Sequence, residues 1–291
     1  MIPPSVEGQV PLYFSAMIFD VAAEVTANTR LSTDYNIVSL AAPAIGAAAA
    51  PGQFVMIKPG SGIDPMLRRP FSIFEILRSA GQVTGISLLN KRIGVGTSLL
   101  YDARPGDRLA CLGPLGRPFP AVDPPAEAWM IAGGVGLAPF VTLGEALAAR
   151  GTLSTLFYGA RTSADLFRED LFEPLGVRLV VVTEDGSRGE RGRVTAPLAR
   201  ALAELPAGRS VTMYACGPTP MMRAVADLAG RFDRTAFVSL EPVMGCGMGG
   251  CYSCVVPISA PDLPRHFVRS CIDGPVFDAS RIAWDALRGG H

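Results

Sequence analysis

Hydrophobic and polar positions change rhythm twice along the chain. From residue 17 to residue 112, short apolar stretches at 37–40, 54–57, 71–74, 86–89 and 108–112 are divided by the turn pairs Pro51-Gly52, Pro59-Gly60, Ala80-Gly81 and Pro105-Gly106. Many short strands at this spacing predict an antiparallel β-barrel. The alanines at 47–50, with Pro43 and Pro51 on either side, read as loop. After Asp123-Pro124-Pro125 the rhythm becomes one of continuous apolar runs, at 129–132, 153–158, 177–183, 211–214 and 235–240. Helical segments at 140–150, 164–172, 195–202 and 220–231 alternate with them. That pattern predicts a doubly wound α/β unit, a parallel sheet covered on both faces. From Glu241 the text is organised around cysteines. The chain thus divides into 17–122, 123–240 and 241–291, behind a Pro- and Gly-containing lead-in, with no repeat of solenoid period.

Composition narrows the classes. Apolar residues form 49% of the chain, which argues against a disordered protein. Lys+Arg and Asp+Glu balance at 26 each, so no electrostatic footprint for nucleic acid or an anionic membrane stands out. The longest uncharged run, 128–144, carries glycines and a proline and reads as strand, turn and helix start, not as a membrane span. The start of the chain lacks the basic-then-apolar pattern of a secretory signal. Four of the six cysteines lie from Cys246 onward, which suits a metal or cluster site in a reducing compartment, and the cytoplasm is the expected location.

Those four carry the sharpest signal. Cys246, Cys251 and Cys254 are spaced C-x4-C-x2-C, and Cys271 follows after a sixteen-residue spacer. The first three match the plant-type spacing in which four thiolates hold a [2Fe–2S] cluster. Gly245, Gly247, Gly249 and Gly250 let a loop fold tightly and bring backbone N–H groups toward the sulfides. The competing reading is a four-cysteine zinc site, but zinc ribbons pair two close knuckles and this tail has a single C-x2-C.

Two segments suit a phosphate-bearing cofactor. In Arg69-Pro70-Phe71-Ser72, alternation along a strand would turn Arg69 and Phe71 one way and Pro70 and Ser72 the other. An arginine there fits a pyrophosphate and a serine fits a flavin ring; a surface arginine before a strand is the plainer alternative. Gly94-Val95-Gly96-Thr97 is a glycine turn into a helix, whose free N–H groups make an anion site, unless Thr97 is only a cap. A third segment, Gly133-Gly134-Val135-Gly136, follows an apolar strand and precedes Pro139 and a helix, as a diphosphate loop would. A tight turn without ligand remains open. Cys216-Gly217-Pro218 ends another strand, where a thiol can lie over a nicotinamide or merely pack. Glu184 and Asp185 favour the ribose hydroxyls of NAD over a 2′-phosphate, while Arg161, Arg188, Arg191 and Arg193 pull the other way. His266 and His291 have no spaced partners and read as structural or surface residues.

R-P-F-S, G-V-G-T, G-G-V-G-L-A-P, Y-G-A-R at Tyr158 to Arg161, C-G-P and the cysteine loop occur in an order that resembles the ferredoxin–NADP reductase superfamily with a cluster domain appended. More narrowly, the chain is similar to the electron-transfer subunits of NAD-dependent dihydroorotate dehydrogenases. The resemblance runs from about residue 17 to 284, with residues 246–277 its most specific part. It implies an oxidoreductase subunit of pyrimidine biosynthesis that contacts FAD through Arg69, Pro70, Phe71 and Ser72, through Leu89, Asn90 and Lys91, and through Gly96 and Thr97. It implies cluster ligation by Cys246, Cys251, Cys254 and Cys271, and an FMN-containing catalytic partner in a heterotetramer. Electrons would pass singly from that FMN through the cluster to FAD, and leave as hydride to NAD+. Leu89-Asn90-Lys91 departs from the family pattern in lacking an aromatic-plus-arginine pair. No catalytic acid or base is expected, since cofactors perform the bond chemistry. Two alternatives stand: a related flavin subunit of a sulfhydrogenase or ferredoxin–NAD(P) reductase, and a colourless, non-catalytic zinc-stabilised interaction module.

Overall fold

The computed structural model describes residues 17–60, 62, 64–260 and 263–287. The lead-in and His291 lie outside them. Seven antiparallel strands form the first unit: β1 (Phe19–Arg30), β2 (Tyr35–Ala41), β3 (Phe54–Lys58), β4 (Arg69–Ser72), β5 (Glu75–Ser79), β6 (Gln82–Lys91) and β7 (Arg108–Leu115). Their order is β4-β3-β7-β1-β2-β6-β5. Just beyond β4, Ile73 N donates to Gln53 O at 3.1 Å and Phe74 N to Ser87 O at 2.9 Å, so the curled sheet is drawn together at its ends. Val25, Val38, Leu40, Val55, Ile57 and Phe71 are among the side chains that fill it.

Two helices belong to this unit: α1 (Pro43–Ala48) and α2 (Val95–Asp102). The first corrects part of the loop expected at 47–50: Ala47 and Ala48 are its last residues, while Ala49 is already extended and Ala50 lies in the loop. Pro43 stands in the first helical turn, where its missing N–H costs nothing.

The second unit contains β8 (Glu127–Gly133), α3 (Phe140–Ala149), β9 (Ser154–Ala160), β10 (Arg178–Thr183), β11 (Glu190–Arg191), α4 (Thr195–Ala203), β12 (Val211–Cys216), α5 (Thr219–Arg231) and β13 (Thr235–Ser239). These six strands are parallel, in the order β11-β10-β9-β8-β12-β13. Residues 164–172 are not the helix expected. They form short 3-10 turns, Ser163–Asp165 and Glu169–Leu171, interrupted at Arg168, whose φ of 52° is left-handed. Phe167 there packs on Tyr35 of the barrel, ring centroids 4.5 Å apart, so a contact between units overrides local helix preference.

The cysteine unit adds the hairpin β14 (Val255–Ala260) and β15 (Leu263–Arg269), the single turn α6 (Ser270–Asp273), and β16 (Val276–Asp278). It is not a detached appendage, because β16 pairs antiparallel with β13 and extends the nucleotide-type sheet. One apolar core joins Ile37, Phe74 and Leu89 of the barrel to Phe140, Tyr158 and Tyr214 of the second unit. Another joins Phe54, Met56, Leu112 and Leu115 to Met244, Cys254 and Cys271. The three units therefore meet along buried seams, and the candidate sites lie at those seams. Among the described residues no helix is long and apolar enough to cross a membrane.

Candidate functional site

The cysteines come together as two pairs. Cys254 Sγ lies 3.3 Å from Cys271 Sγ, both buried, and Cys246 is within hydrogen-bonding reach of Cys251. Two thiolates on one tetrahedral ion with bonds of ~2.3 Å stand roughly 3.8 Å apart, so the buried pair is near that separation. Two pairs suit two irons. Met248 N donates to Cys246 Sγ at 3.4 Å, and the Gly249 backbone hydrogen-bonds the Cys271 thiol. Hydrogen bonds from the Ser253 hydroxyl and backbone, followed by those from Cys246, hold the exposed Cys251 thiol down at about 6. Burial pushes Cys271 up to about 12. Of the four loop glycines, Gly247 and Gly249 have positive φ (73° and 79°), and a Cβ on Gly247 would come within 2.5 Å of Met56 Cγ. The loop thus rests directly on β3.

The flavin-type segments also meet. The Arg69 side chain lies over the start of α2, so that a Cβ on Gly96 would stand 3.3 Å from its Cγ and 3.4 Å from its Nε. Guanidinium and helix N-terminus together form a cradle that fits a pyrophosphate. The Thr97 hydroxyl accepts from Ile93 N (2.9 Å) and Gly94 N (3.0 Å) and donates to Gly94 O, so it ties the turn to itself in the manner of a cap. Pro70 is half-buried and cross-strand from Met56, while the Phe71 ring is in the barrel core. Leu89 faces the core shared with the second unit. Asn90 is fully buried, its amide donating to Asn36 Oδ1 at 2.7 Å and Thr97 O at 3.0 Å. Lys91 reaches over the Tyr35 ring, 5.3 Å from its centroid.

The nucleotide-type loops sit where the parallel sheet reverses its winding, at the carboxyl ends of the adjacent strands β8 and β12. A Cβ on Gly136 would be 2.2 Å from Cys216 O, and one on Gly133 2.7 Å from Pro218 Cδ. Gly134 (φ 55°) and half-buried Val135 complete the turn; around Gly134 a Cβ would meet nothing within 4 Å. The exposed backbone there fits a diphosphate. At the end of β10, Asp185 Oδ1 accepts from Ser187 Oγ (2.7 Å) and N (2.9 Å), bonds that hold its carboxyl below the usual carboxylate range. Arg161 is paired with Asp165 at 3.4 Å and Arg188 with Glu169 at 3.0 Å. His266 is an exposed residue of β15.

One residue escaped sequence reasoning. Glu241 stands two residues beyond the end of β13, and its carboxylate takes a hydrogen bond from the Ser72 hydroxyl and lies 4.0 Å from Cys216 Sγ. Crowding in this cleft pushes the Glu241 carboxyl up, although solvent still reaches it, and burial keeps the Cys216 thiol protonated. Ser72, Cys216 and Glu241 come from three different units. The available signal was an acidic residue at the carboxyl edge of a parallel strand.

The chain is similar to known proteins along most of its length. The iron-sulfur cluster binding domain of dihydroorotate dehydrogenase B matches residues 241–283, and the oxidoreductase NAD-binding domain matches 130–227. The electron transfer subunit of dihydroorotate dehydrogenase B (NAD(+)) from Geobacillus kaustophilus is 40% identical over 235 residues, 80% of this chain and 86% of that protein. The corresponding subunit from Desulforamulus reducens is 35% identical over 268 residues, 92% of this chain and 99% of that one. Among solved structures, an NADH-dependent reduced ferredoxin–NADP oxidoreductase superposes with a TM-score of 0.79 at 28% identity, covering 92% of this chain and 91% of that one. An Amycolatopsis cytochrome P450 reductase gives 0.60 at 28% identity over 74% of this chain and 66% of its own. The chain belongs to the family of dihydroorotate dehydrogenase B (NAD(+)) electron transfer subunits.

Proposed function

We propose that this chain takes electrons from dihydroorotate oxidation on a catalytic partner and delivers them to NAD+. The convergence of Ser72, Cys216 and Glu241 in one cleft carries this reading, because it brings the flavin strand, the nucleotide strand and the cluster unit to one point. A [2Fe–2S] centre at the four cysteines would supply one-electron transfer, and FAD beside this cleft would supply the conversion to the two-electron chemistry of NAD+. Cys246, Cys251, Cys254 and Cys271 hold the cluster. Arg69 and the start of α2, at Gly96 and Thr97, anchor the FAD pyrophosphate; Pro70 to Ser72 and the backbone of Leu89 to Lys91 line the rest of that cofactor. Gly133 to Gly136 and Cys216 to Pro218 receive NAD.

The protein's own chemistry is positional. The Glu241 carboxylate accepts from the Ser72 hydroxyl and so orients it on the flavin-type strand. The neutral, buried Cys216 thiol gives the nicotinamide face an apolar, uncharged neighbour. Pairing of Arg161 and Arg188 with carboxylates, beside anionic Asp185, favours NAD over a 2′-phosphorylated coenzyme.

The partner is an FMN-containing dihydroorotate dehydrogenase catalytic subunit, in a cytoplasmic heterotetramer. Exposed Met248 and Tyr252 flank the exposed Cys251, and exposed Leu67 lies beside the same loop, 3.9 Å from where a Cβ on Gly245 would stand. An apolar rim around a ligand thiol suits close docking for electron transfer.

Co-expression with the catalytic subunit, followed by anaerobic purification, tests the reading. The complex is expected to hold flavin, iron and sulfide and to form orotate and NADH in equal amounts from dihydroorotate and NAD+. NADH oxidation with dyes but no coupling to dihydroorotate would overturn it in favour of another reductase of this fold.

A further inference from the structure

Arg269 ends β15, two residues ahead of Cys271. Its backbone N–H donates to Asp273 Oδ2 at 3.0 Å, which leaves that carboxylate occupied at the start of α6. Its side chain reaches back across the cysteine loop. Nη1 donates to Gly249 O at 3.1 Å, and the guanidinium carbon stands 5.3 Å from the centroid of the Tyr252 ring. Gly249 lies between Cys246 and Cys251, and Tyr252 between Cys251 and Cys254, so one half-buried cation touches both arms of the loop. The approach is close: a Cβ on Gly249 would come within 3.2 Å of Nη1. Tyr252 has a φ of 56°, a left-handed conformation that a non-glycine residue keeps only when its surroundings hold it. Among the described residues Arg269 forms no salt bridge with a carboxylate, whereas many of the chain's arginines do. Its charge is therefore directed at the loop it clamps.

Resting on the reading that the four cysteines hold a [2Fe–2S] cluster, we propose that Arg269 is a positioning residue for that site, which fixes the ligand loop and raises the reduction potential of the cluster. Four thiolates and two sulfides concentrate negative charge, and reduction adds one more unit, the electron coming from the catalytic partner's reduced flavin and passing on to FAD. A fixed cation, partly shielded from water, stabilises the reduced form more than the oxidised one. The guanidinium keeps its proton throughout. Its planar fork and ring contact add the loop clamp, which a point charge on a flexible stem would not reproduce.

The test uses the full complex with its catalytic subunit, prepared anaerobically, as wild type, Arg269→Gln and Arg269→Lys. The readouts are iron and sulfide content, the midpoint potential from a spectroscopically followed reductive titration, and the rate of iron loss to a chelator. Arg269→Gln is expected to move the one-electron equilibrium about tenfold toward the oxidised form, about 59 mV downward. Arg269→Lys is expected to stay within about threefold of wild type in that equilibrium and to lose iron faster. A cluster-loaded Gln variant with the wild-type potential would overturn the assignment, as would a Lys variant displaced as far as Gln. Should the Gln variant fail to load, the Lys variant alone decides: a tenfold shift, about 59 mV below wild type, overturns the assignment, and a shift within about threefold supports it. Wild-type complex lacking sulfide would instead defeat the cluster reading itself, a result distinguishable from either.

Discussion

An added Cβ on Gly136 would stand 2.2 Å from the Cys216 carbonyl oxygen, whereas Gly134, two residues earlier, has a φ of 55° and open space around it. The two glycines answer different needs: Gly136 lets β8 and β12 bring their loops into backbone contact, and Gly134 turns the chain and leaves its N–H groups open to a ligand. Gly136→Ala should therefore raise the KM for NAD+ at least tenfold while flavin and cluster absorption stay as in wild type. Steady-state kinetics beside a visible spectrum checks this; equal loss of flavin would show a general fold defect instead. The cysteines and these glycines were legible from spacing alone, because their chemistry depends on neighbours close in sequence. Glu241 was not, since its meaning comes from Ser72 and Cys216, which only the finished fold carries to it.

At the level of elements, three asparagine amides, Asn36 and Asn90 buried and Asn28 half-buried, link strands to a helix. Asn90 donates to Asn36 Oδ1 and Asn36 to Asn28 Oδ1, each at 2.7 Å, while the same amides reach Thr97 O, Leu100 O, Tyr101 O and Ala103 O of α2 and its end. This ladder sets the position of α2 on β1, β2 and β6, and so aims the helix start at Arg69. Asn36→Ala removes the middle rung and strands buried polar groups on both sides, at a cost of about 2–4 kcal/mol. The expected outcome is a lower melting temperature together with at least tenfold weaker FAD retention, read by flavin fluorescence after dilution. Unchanged FAD affinity in a destabilised variant would separate the ladder from the cofactor site. Family resemblance named Asn90 as an FAD contact, and nothing in the sequence gave Asn28 and Asn36 a role, because a ladder has no signature until strands pair. The same limit explains β1 and β5, whose mixed polar and apolar positions hid them, and residues 164–172, where burial of Phe167 against Tyr35 outweighed helical rhythm.

Across the whole molecule, exposed apolar side chains gather on one side of the cysteine loop. Met248 and Tyr252 are 60% and 63% exposed, and Met66 and Leu67, from the segment that leads into the flavin strand, are 75% and 53% exposed. The Arg68–Asp20 ion pair, at 2.9 Å, holds that segment to the start of β1, where Met17 and Ile18 are exposed as well. Balanced net charge offers no long-range steering, so docking to a catalytic subunit would depend on burying this rim. A single charge placed at its centre should then act on association and not on the cofactors. Met248→Asp is expected to leave iron, sulfide and flavin content intact and to preserve NADH-dependent dye reduction by the isolated chain. In the mixture with the catalytic subunit it should weaken the complex at least tenfold, measured by sedimentation, and slow dihydroorotate-dependent NAD+ reduction in proportion until subunit concentration is raised. A complex of unchanged affinity would move the docking surface elsewhere on the molecule, and loss of the cluster in the isolated variant would make Met248 a support of the ligand loop instead.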